Sequence, residues 1–396
     1  MKIAIVNVFF PPHSIGGATR VVADNVESLK RKYEDQVEVV VFSSHPDHTD
    51  KYELDCYPFR GSRVYTLSTK LIDHLEWNAE NEEVEKVFEK FLDIERPDLV
   101  HFHCIQRLTA SMLKASQKAG VPYIVTVHDA WWISDYQFLV DNQGEVFVNG
   151  HEDILSTPLP PSGISVERSL KRRMKLKTLL LGAKKVLAVS DSFAEIYRKN
   201  GFPLCETSKN GVSSGMNWLP KNTSNIDKIV LGHLGGMSNH KGYDLLKTSI
   251  QNLNSDGIEL LIVDHSKGPD YTLKSKWGAT DVTFIGRQPQ DEIVKIYQAI
   301  DVLIAASIWP ESFGLVSREA MACGCWVIAS DIGGIGEDVE EGVNGHLIRS
   351  GSIDQLMDTI KLLIENPSKY KGLSSTNSLR KSDEQVDELV KYHYHI

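Results

Sequence analysis

The sequence predicts an α/β protein built as two facing, doubly wound domains with a central cleft between them. Three observations predict it. The 396-residue chain is long enough for two domains of about 200 residues, each burying its own core. Short β-branched runs alternate with helical periodicity through the first half, which argues for βα units around a parallel sheet. From about Asp227 the same alternation begins again, after a stretch rich in Ser, Asn and Gly from Ser213 to Ile226.

In the first half the strand candidates are Lys2 to Val8, Val37 to Phe42, Arg63 to Leu67, Leu99 to Phe102, Tyr123 to Val127 and Lys185 to Val189. Between them Gly17 to Tyr33, Glu80 to Ile94, Gln106 to Ala119 and Ser192 to Lys199 carry apolar residues at helical spacing. In the second half the strands are Ile229 to Leu234, Glu259 to Val263, Val282 to Ile285, Val302 to Ala305 and Trp326 to Ala329. The helices there are Gly242 to Leu253, Gln290 to Ile300, Glu319 to Ala322 and Ser352 to Glu365. The chain thus divides into a first domain at 1–212, a linker at 213–226, a second domain at 227–375 and a tail at 376–396, where Asp383 to Tyr392 reads as a last helix.

Apolar content of 41% and charged content of 24% are those of an ordinary globular protein. A formal net charge of −10 argues against a general nucleic-acid binder, which needs a basic surface. The five cysteines, Cys56, Cys104, Cys205, Cys323 and Cys325, are odd in number and show no Cys-x-x-Cys spacing, so reduced, buried thiols in a cytoplasmic protein are expected. The opening apolar run is too short for a signal peptide and meets Pro11-Pro12, so it reads as a buried strand. No apolar run reaches the length of a membrane span.

The stretch that carries the chemistry is Trp309-Pro-Glu-Ser-Phe-Gly-Leu-Val-Ser-Arg-Glu319, continuing through Ala-Met-Ala-Cys to Gly324. At helical rise its two carboxylates, Glu311 and Glu319, would stand roughly 12 Å apart after about two and a quarter turns, on nearly one side. They are too far apart to share a proton. They could grip the two ends of an extended ligand, with a helix start between them offering N–H groups to an anion. A sugar joined through a diphosphate to a nucleoside has that shape.

This Glu-x7-Glu run resembles the donor-binding motif of the retaining glycosyltransferases of family 4, whose fold is GT-B: two Rossmann-like domains. Val327 to Gly334 and Gly342 to Ile348 look like the strand, Gly-rich turn and hairpin that follow it in that family. The resemblance implies a retaining transferase that moves a sugar from a nucleoside diphosphate sugar to an acceptor hydroxyl. It implies that Glu319 holds the ribose, that Glu311 holds the donor sugar, and that N–H groups of Phe313, Gly314 and Leu315 face the diphosphate. It also implies that the tail helix crosses back to the first domain.

Three further segments match in family order. Phe9 to Arg20 brings the pair Gly16-Gly17 to a helix start, where backbone can approach a phosphate closely, although a tight turn explains the pair equally. Gly235 to Gly242 places Lys241 where the family's donor-phosphate lysine stands, to neutralise charge on the departing diphosphate. The family often has an arginine five residues earlier, and here Gly236 stands there. Arg287, Arg20 or backbone amides are the candidates to replace it. Thr126 to Trp132 ends a strand in His128-Asp129, with His128 expected to touch sugar or acceptor and Asp129 to orient it. His128, Lys241 and Glu311 are therefore the candidate catalytic residues. Trp131 and Trp132 either stack on an acceptor sugar or pack.

His101-Phe-His103-Cys104 places two histidines on one face of a strand, but no third ligand is placed by sequence, so no metal site is expected. No Asp-x-Asp occurs, and catalysis without a metal or other cofactor is the expectation. Glu167 to Lys185 holds eight basic residues against one acid. A helix over 166–185 with Val166, Leu170, Met174 and Leu181 in one stripe that Arg173 and Lys177 interrupt suits either anionic lipid headgroups at the inner face of a membrane or a solvated surface. A sugar-nucleotide epimerase and a non-catalytic nucleotide-sugar-binding partner of another transferase are the competing functions. Bacterial surface polysaccharide or lipid-linked glycan assembly is the setting the resemblance suggests.

Overall fold

The structure is a computed structural model and describes residues 1–13, 16–150, 158–217, 228–290, 292–373 and 379–395. Most of the expected linker, and the tail from Ser374 to residue 378, lie outside the described residues. The chain forms two compact units: Met1–Ser213 with Arg380–Ile396, and Ser214–Leu379.

The first unit runs β1 (Lys2–Val6), α1 (Gly16–Tyr33), β2 (Glu38–His48), β3 (Glu53–Phe59), β4 (Ser62–Thr69), α2 (Glu82–Glu95), β5 (Leu99–Phe102), α3 (Ser111–Lys118), β6 (Tyr123–Val127), α4 (Val166–Leu181), β7 (Lys185–Ala188), α5 (Asp191–Lys199) and β8 (Glu206–Thr207). Its sheet has the order β3-β4-β2-β1-β5-β6-β7-β8. All pairings are parallel except that of β3 with β4. The order reverses between β1 and β5, the doubly wound pattern that leaves a crevice at the strands' carboxyl ends. Burial explains the parallel strands: β1 and the first half of β2 are rich in Ile and Val, and all four residues of β5 are buried, as expected of strands covered on both faces. The α2 helix is typical of the covering layer. Asn81 caps it by accepting from Glu83 and Val84 N–H, and Val84, Phe88, Phe91 and Leu92 turn inward, with Phe42 packed edge-on to Phe88 at 5.0 Å.

The second unit runs β9 (Ile229–His233), α6 (Tyr243–Leu253), β10 (Ile258–Asp264), β11 (Thr272–Trp277), β12 (Thr280–Gly286), α7 (Ile293–Ala299), β13 (Val302–Ala305), α8 (Leu315–Ala322), β14 (Trp326–Ser330), β15 (Gly345–Ile348) and α9 (Ile353–Glu365). Its sheet order is β11-β12-β10-β9-β13-β14-β15, with the reversal between β9 and β13. The last helix, α10 (Ser382–Tyr394), belongs to the first unit. Val386 and Val390 enter the core beneath α1, Lys32 and Tyr33 reach Asp387 at 2.6 and 2.8 Å, and Gly211 N–H donates to Gln385 at 2.8 Å.

Several expectations are corrected. The edge strands β3 and β11 gave no apolar signal. Thr272-Leu-Lys-Ser-Lys-Trp277 is exposed along most of its length, because an edge strand needs only one partner and its lysines discourage another. The α8 helix begins at Leu315, so Glu319 sits in its second turn while Glu311 lies in the loop before it. Helical rise therefore does not set their separation. Residues 342–348 form no antiparallel hairpin: β15 pairs parallel with β14 after a turn closed by Gly342 N–H to Gly345 O. All five cysteines are free, but only Cys205, Cys323 and Cys325 are buried, and Cys56 on β3 is exposed. Among the described residues no helix is long and apolar enough to cross a membrane.

Candidate functional site

In the second unit, the crevice where the strand order reverses is lined by the turn after β9 and the loop after β13. A 3₁₀ turn, Asn239–Lys241, precedes α6 and ends at Gly242. Gly242 has φ +79, and a Cβ on it would lie 1.9 Å from Ala306 O, so only glycine lets this turn lie against the end of β13. That approach brings Lys241 to the loop that holds Glu311. Lys241 Nζ stands 3.1 Å from Glu311 Oε1 and 5.1 Å from the centre of the Trp309 ring. Glu311 is 7% exposed, and the same oxygen accepts the Ser307 hydroxyl. Its backbone is held by a bridge to Gly333, with Gly334 N–H donating to Glu311 O at 2.6 Å.

Phe313 and Gly314 form the turn into α8. Arg318, itself buried, lies over the Phe313 ring at 3.8 Å, donates to Phe313 O, and reaches Asp338 at 2.5 Å. Ser317 Oγ donates to Gly314 O at 2.7 Å. These contacts fix the loop whose N–H groups open the helix. Glu319 is 2% exposed and its Oε2 accepts from Tyr297 O–H at 2.7 Å. At Gly236, φ is +99 and a Cβ would meet His265 Cδ2 at 3.7 Å. An L side chain there is strained, a physical reason for the arginine's absence. Arg287 follows β12, its N–H donating to Lys267 O at 3.0 Å.

In the first unit, Gly16 and Gly17 open α1. Asn7, just past β1, ties this region together: its amide donates to Phe9 O at 2.7 Å and its carbonyl accepts from Cys104 N–H at 3.1 Å. His128 follows β6, 9% exposed, with Nε2 2.9 Å from His103 Nδ1. Burial pushes His128 down to about 4 and His103 well below the ordinary histidine range, so both are neutral imidazoles at neutral pH.

Asp129 does not orient His128. Its carboxylate accepts from Trp131 N–H at 2.9 Å, Gln106 at 2.7 Å and Gln137 at 3.0 Å, and burial outweighs these bonds to raise it to about 6. Trp131 and Trp132, each 3% exposed, pack edge-to-face at 5.3 Å within the core, and Trp131 Nε1 donates to Glu76 O at 2.6 Å. Packing, not stacking on a sugar, is what these rings do. Arg172, counted by sequence in the basic run, also turns inward. Its guanidinium caps Trp77 O at 2.6 Å, Trp131 O at 2.9 Å and Ser134 O at 3.1 Å.

Sequence reasoning missed Ser307, Tyr297 and the bond from His103, because each acts through a contact between elements. Among the described residues no group of three or more His, Cys, Asp or Glu could hold a metal ion.

Compared with known families, residues 216–379 match the one described as glycosyl transferases group 1. Residues 15–214, half of the chain, match Glycosyltransferase Family 4. The chain belongs to glycosyltransferase family 4. Similar proteins include the D-inositol 3-phosphate glycosyltransferases of Mycolicibacterium smegmatis, 33% identical over 147 residues, and of Mycolicibacterium vanbaalenii, 46% identical over 77 residues. The first alignment covers 35% of this chain and 33% of the relative, the second 19% and 17%, so the chain matches a third or less of either relative's length.

Solved structures resemble this family 4 chain over its whole length. Sucrose-phosphate synthase from Thermosynechococcus elongatus superposes with a TM-score of 0.72 at 18% identity, covering 100% of this chain and 98% of that one. Anabaena HepE in complex with UDP-glucose does so with a TM-score of 0.64 at 19% identity, covering 100% of both chains. At these identities the likeness is one of fold, and the fold is GT-B.

Proposed function

We propose that this family 4 chain transfers a sugar, with retention and without a metal ion, from a nucleoside diphosphate sugar to an acceptor hydroxyl. The observation that carries the reading is the Lys241–Glu311 pair at the strand-order reversal of the second unit, 3.1 Å apart beside the start of α8. A cation and a buried carboxylate at helix starts suit a ligand that is anionic at its diphosphate and hydroxylated at its sugar.

In this reading Lys241 and the N–H groups of Phe313, Gly314 and Leu315 stabilise charge on the departing diphosphate, Glu311 accepts from the sugar hydroxyls, and Glu319 accepts from the ribose. On the first unit, Gly16 and Gly17 offer N–H groups to a phosphate, and His128 faces sugar or acceptor. HepE, a relative in fold, is known with UDP-glucose bound, which supports a nucleotide sugar as the donor class. Retention follows from family resemblance and metal independence from the missing Asp-x-Asp. Thermal shift against UDP, GDP, dTDP, ADP and CMP, each with Mg²⁺ or EDTA, tests the donor site. One nucleoside diphosphate raising Tm equally in both supports the reading. No shift with any of them overturns it.

The proposed setting is cytoplasmic assembly of a bacterial surface polysaccharide or lipid-linked glycan, with α4 resting on the inner membrane face. What favours contact is the direction of its apolar stripe: Val166, Leu170, Met174 and Leu181 are 57%, 48%, 71% and 56% exposed, pointing away from the core face formed by Leu176, Leu179 and Leu180. Exposed Lys171 lies beside the stripe and exposed Lys177 interrupts it.

A further inference from the structure

At the carboxyl ends of β5 and β6, four buried imidazoles stand in a row that ends on α10. His128 Nε2 lies 2.9 Å from His103 Nδ1. The His103 ring stacks on His101, with centroids 4.3 Å apart at 29°. His101 Nδ1 lies 3.0 Å from His393 Nε2, and its Nε2 lies 2.8 Å from Thr126 Oγ1. His103 is 3% exposed and His101 1%.

A hydrogen bond between two neutral imidazoles holds one proton, and where that proton sits decides the tautomer of both rings. If His103 donates from Nδ1, His128 accepts at Nε2 and carries its own proton on Nδ1, which is then a donor. If His128 donates from Nε2, its Nδ1 is a bare acceptor. The neighbouring carboxylate takes no part, since the bonds of Asp129 go to Trp131, Gln106 and Gln137.

We propose that His103 is the positioning residue for His128, holding its ring through Nε2 and setting whether Nδ1 donates to or accepts from a substrate hydroxyl. The stack on His101, itself anchored to Thr126 and His393, keeps the His103 ring from turning. The inference deepens the functional reading above and rests on it for the role of His128 toward substrate.

The test separates the two. His103→Phe keeps the ring, its volume and its stacking but removes the bond; His103→Asn returns a polar group near the Nδ1 position. Long-range ¹H–¹⁵N spectra of ¹⁵N-histidine protein report the tautomer of His128 with no substrate present. The expected result is a single His128 tautomer in the parent protein, a changed or mixed one in His103→Phe, and partial recovery in His103→Asn. An unchanged His128 tautomer in folded His103→Phe overturns the proposal.

Turnover is measured beside it. His103→Phe is expected to lower kcat roughly 10-fold to 100-fold with nucleoside diphosphate affinity retained. The double variant with His128→Phe should be no slower than His128→Phe alone. A full additional loss in the double variant would show that His103 acts independently of His128, and overturns the proposal. A changed tautomer with unaltered kcat leaves the positioning intact and overturns instead the substrate-facing reading of His128.

Discussion

Lys241 and Glu311, seventy residues apart in sequence, form an ion pair of 3.1 Å in which the Glu311 side chain is nearly closed to solvent and the Lys241 side chain about a quarter open. Each keeps the other in place before any ligand arrives. In the proposed reading a diphosphate reaching this corner would meet a cation already positioned, beside a carboxylate that also accepts the Ser307 hydroxyl.

Removing either partner should therefore cost activity more than fold. Lys241→Ala and Glu311→Gln are expected to lower kcat/KM for sugar transfer by about 100-fold or more, with cooperative thermal unfolding retained. Wild-type turnover in either folded variant would remove that residue from the site.

Gly242 sets the approach that makes the pair possible. Gly242→Ala puts a methyl group where Ala306 O stands and demands a left-handed residue, so the turn must move. A loss of about 2 kcal/mol or more in urea unfolding is expected, with weakened nucleotide binding. An alanine variant as stable as the parent would show that the turn has room the structure denies it.

The buried histidines make a pH prediction. His128 and His393 are pushed down to about 4 by burial, and His101 and His103 lie well below their ordinary value. Each is neutral when folded and protonates near 6.5 when unfolded, so below 6.5 the unfolded state binds more protons and stability falls as pH drops. His128 and His393 each cost about 1.4 kcal/mol per pH unit between roughly 6.5 and 4, and His101 and His103 add to the loss in the same direction. Asp129, raised to about 6, acts oppositely, favouring the folded state as pH falls from 6 to 4, and offsets about one histidine. Urea midpoints should drop steeply from pH 6.5 to 4.5. A flat profile there would mean that the row is open to protons in the folded state.

The outward stripe of α4 predicts lipid binding that depends on charge. Sedimentation with vesicles rich in anionic lipid should carry the protein down, neutral vesicles should not, and Leu170→Glu with Met174→Glu should abolish the difference without lowering Tm. Equal, negligible binding to both vesicles would make α4 a solvated helix.

The sequence by itself determined the alternation of strand and helix, because burial on both faces demands continuous Val and Ile runs in the parallel strands and helical spacing in their covers. It also determined the family, since Glu311 to Gly324 is one contiguous stretch. Edge strands β3 and β11 escaped because they bury little and so carry little pattern.

Tertiary structure alone decided the partners. Arg172 and Lys171 look alike in sequence, yet one caps three carbonyls in the core and the other pairs with Glu167 at the surface. His128 is followed by an aspartate, yet its bond goes to His103 on the neighbouring strand. His101 meets His393 across 292 residues of chain. Spacing encodes local conformation, which each segment expresses alone. Which group satisfies a buried nitrogen or carboxylate depends on what packing brings beside it, and no run of neighbouring residues contains that information.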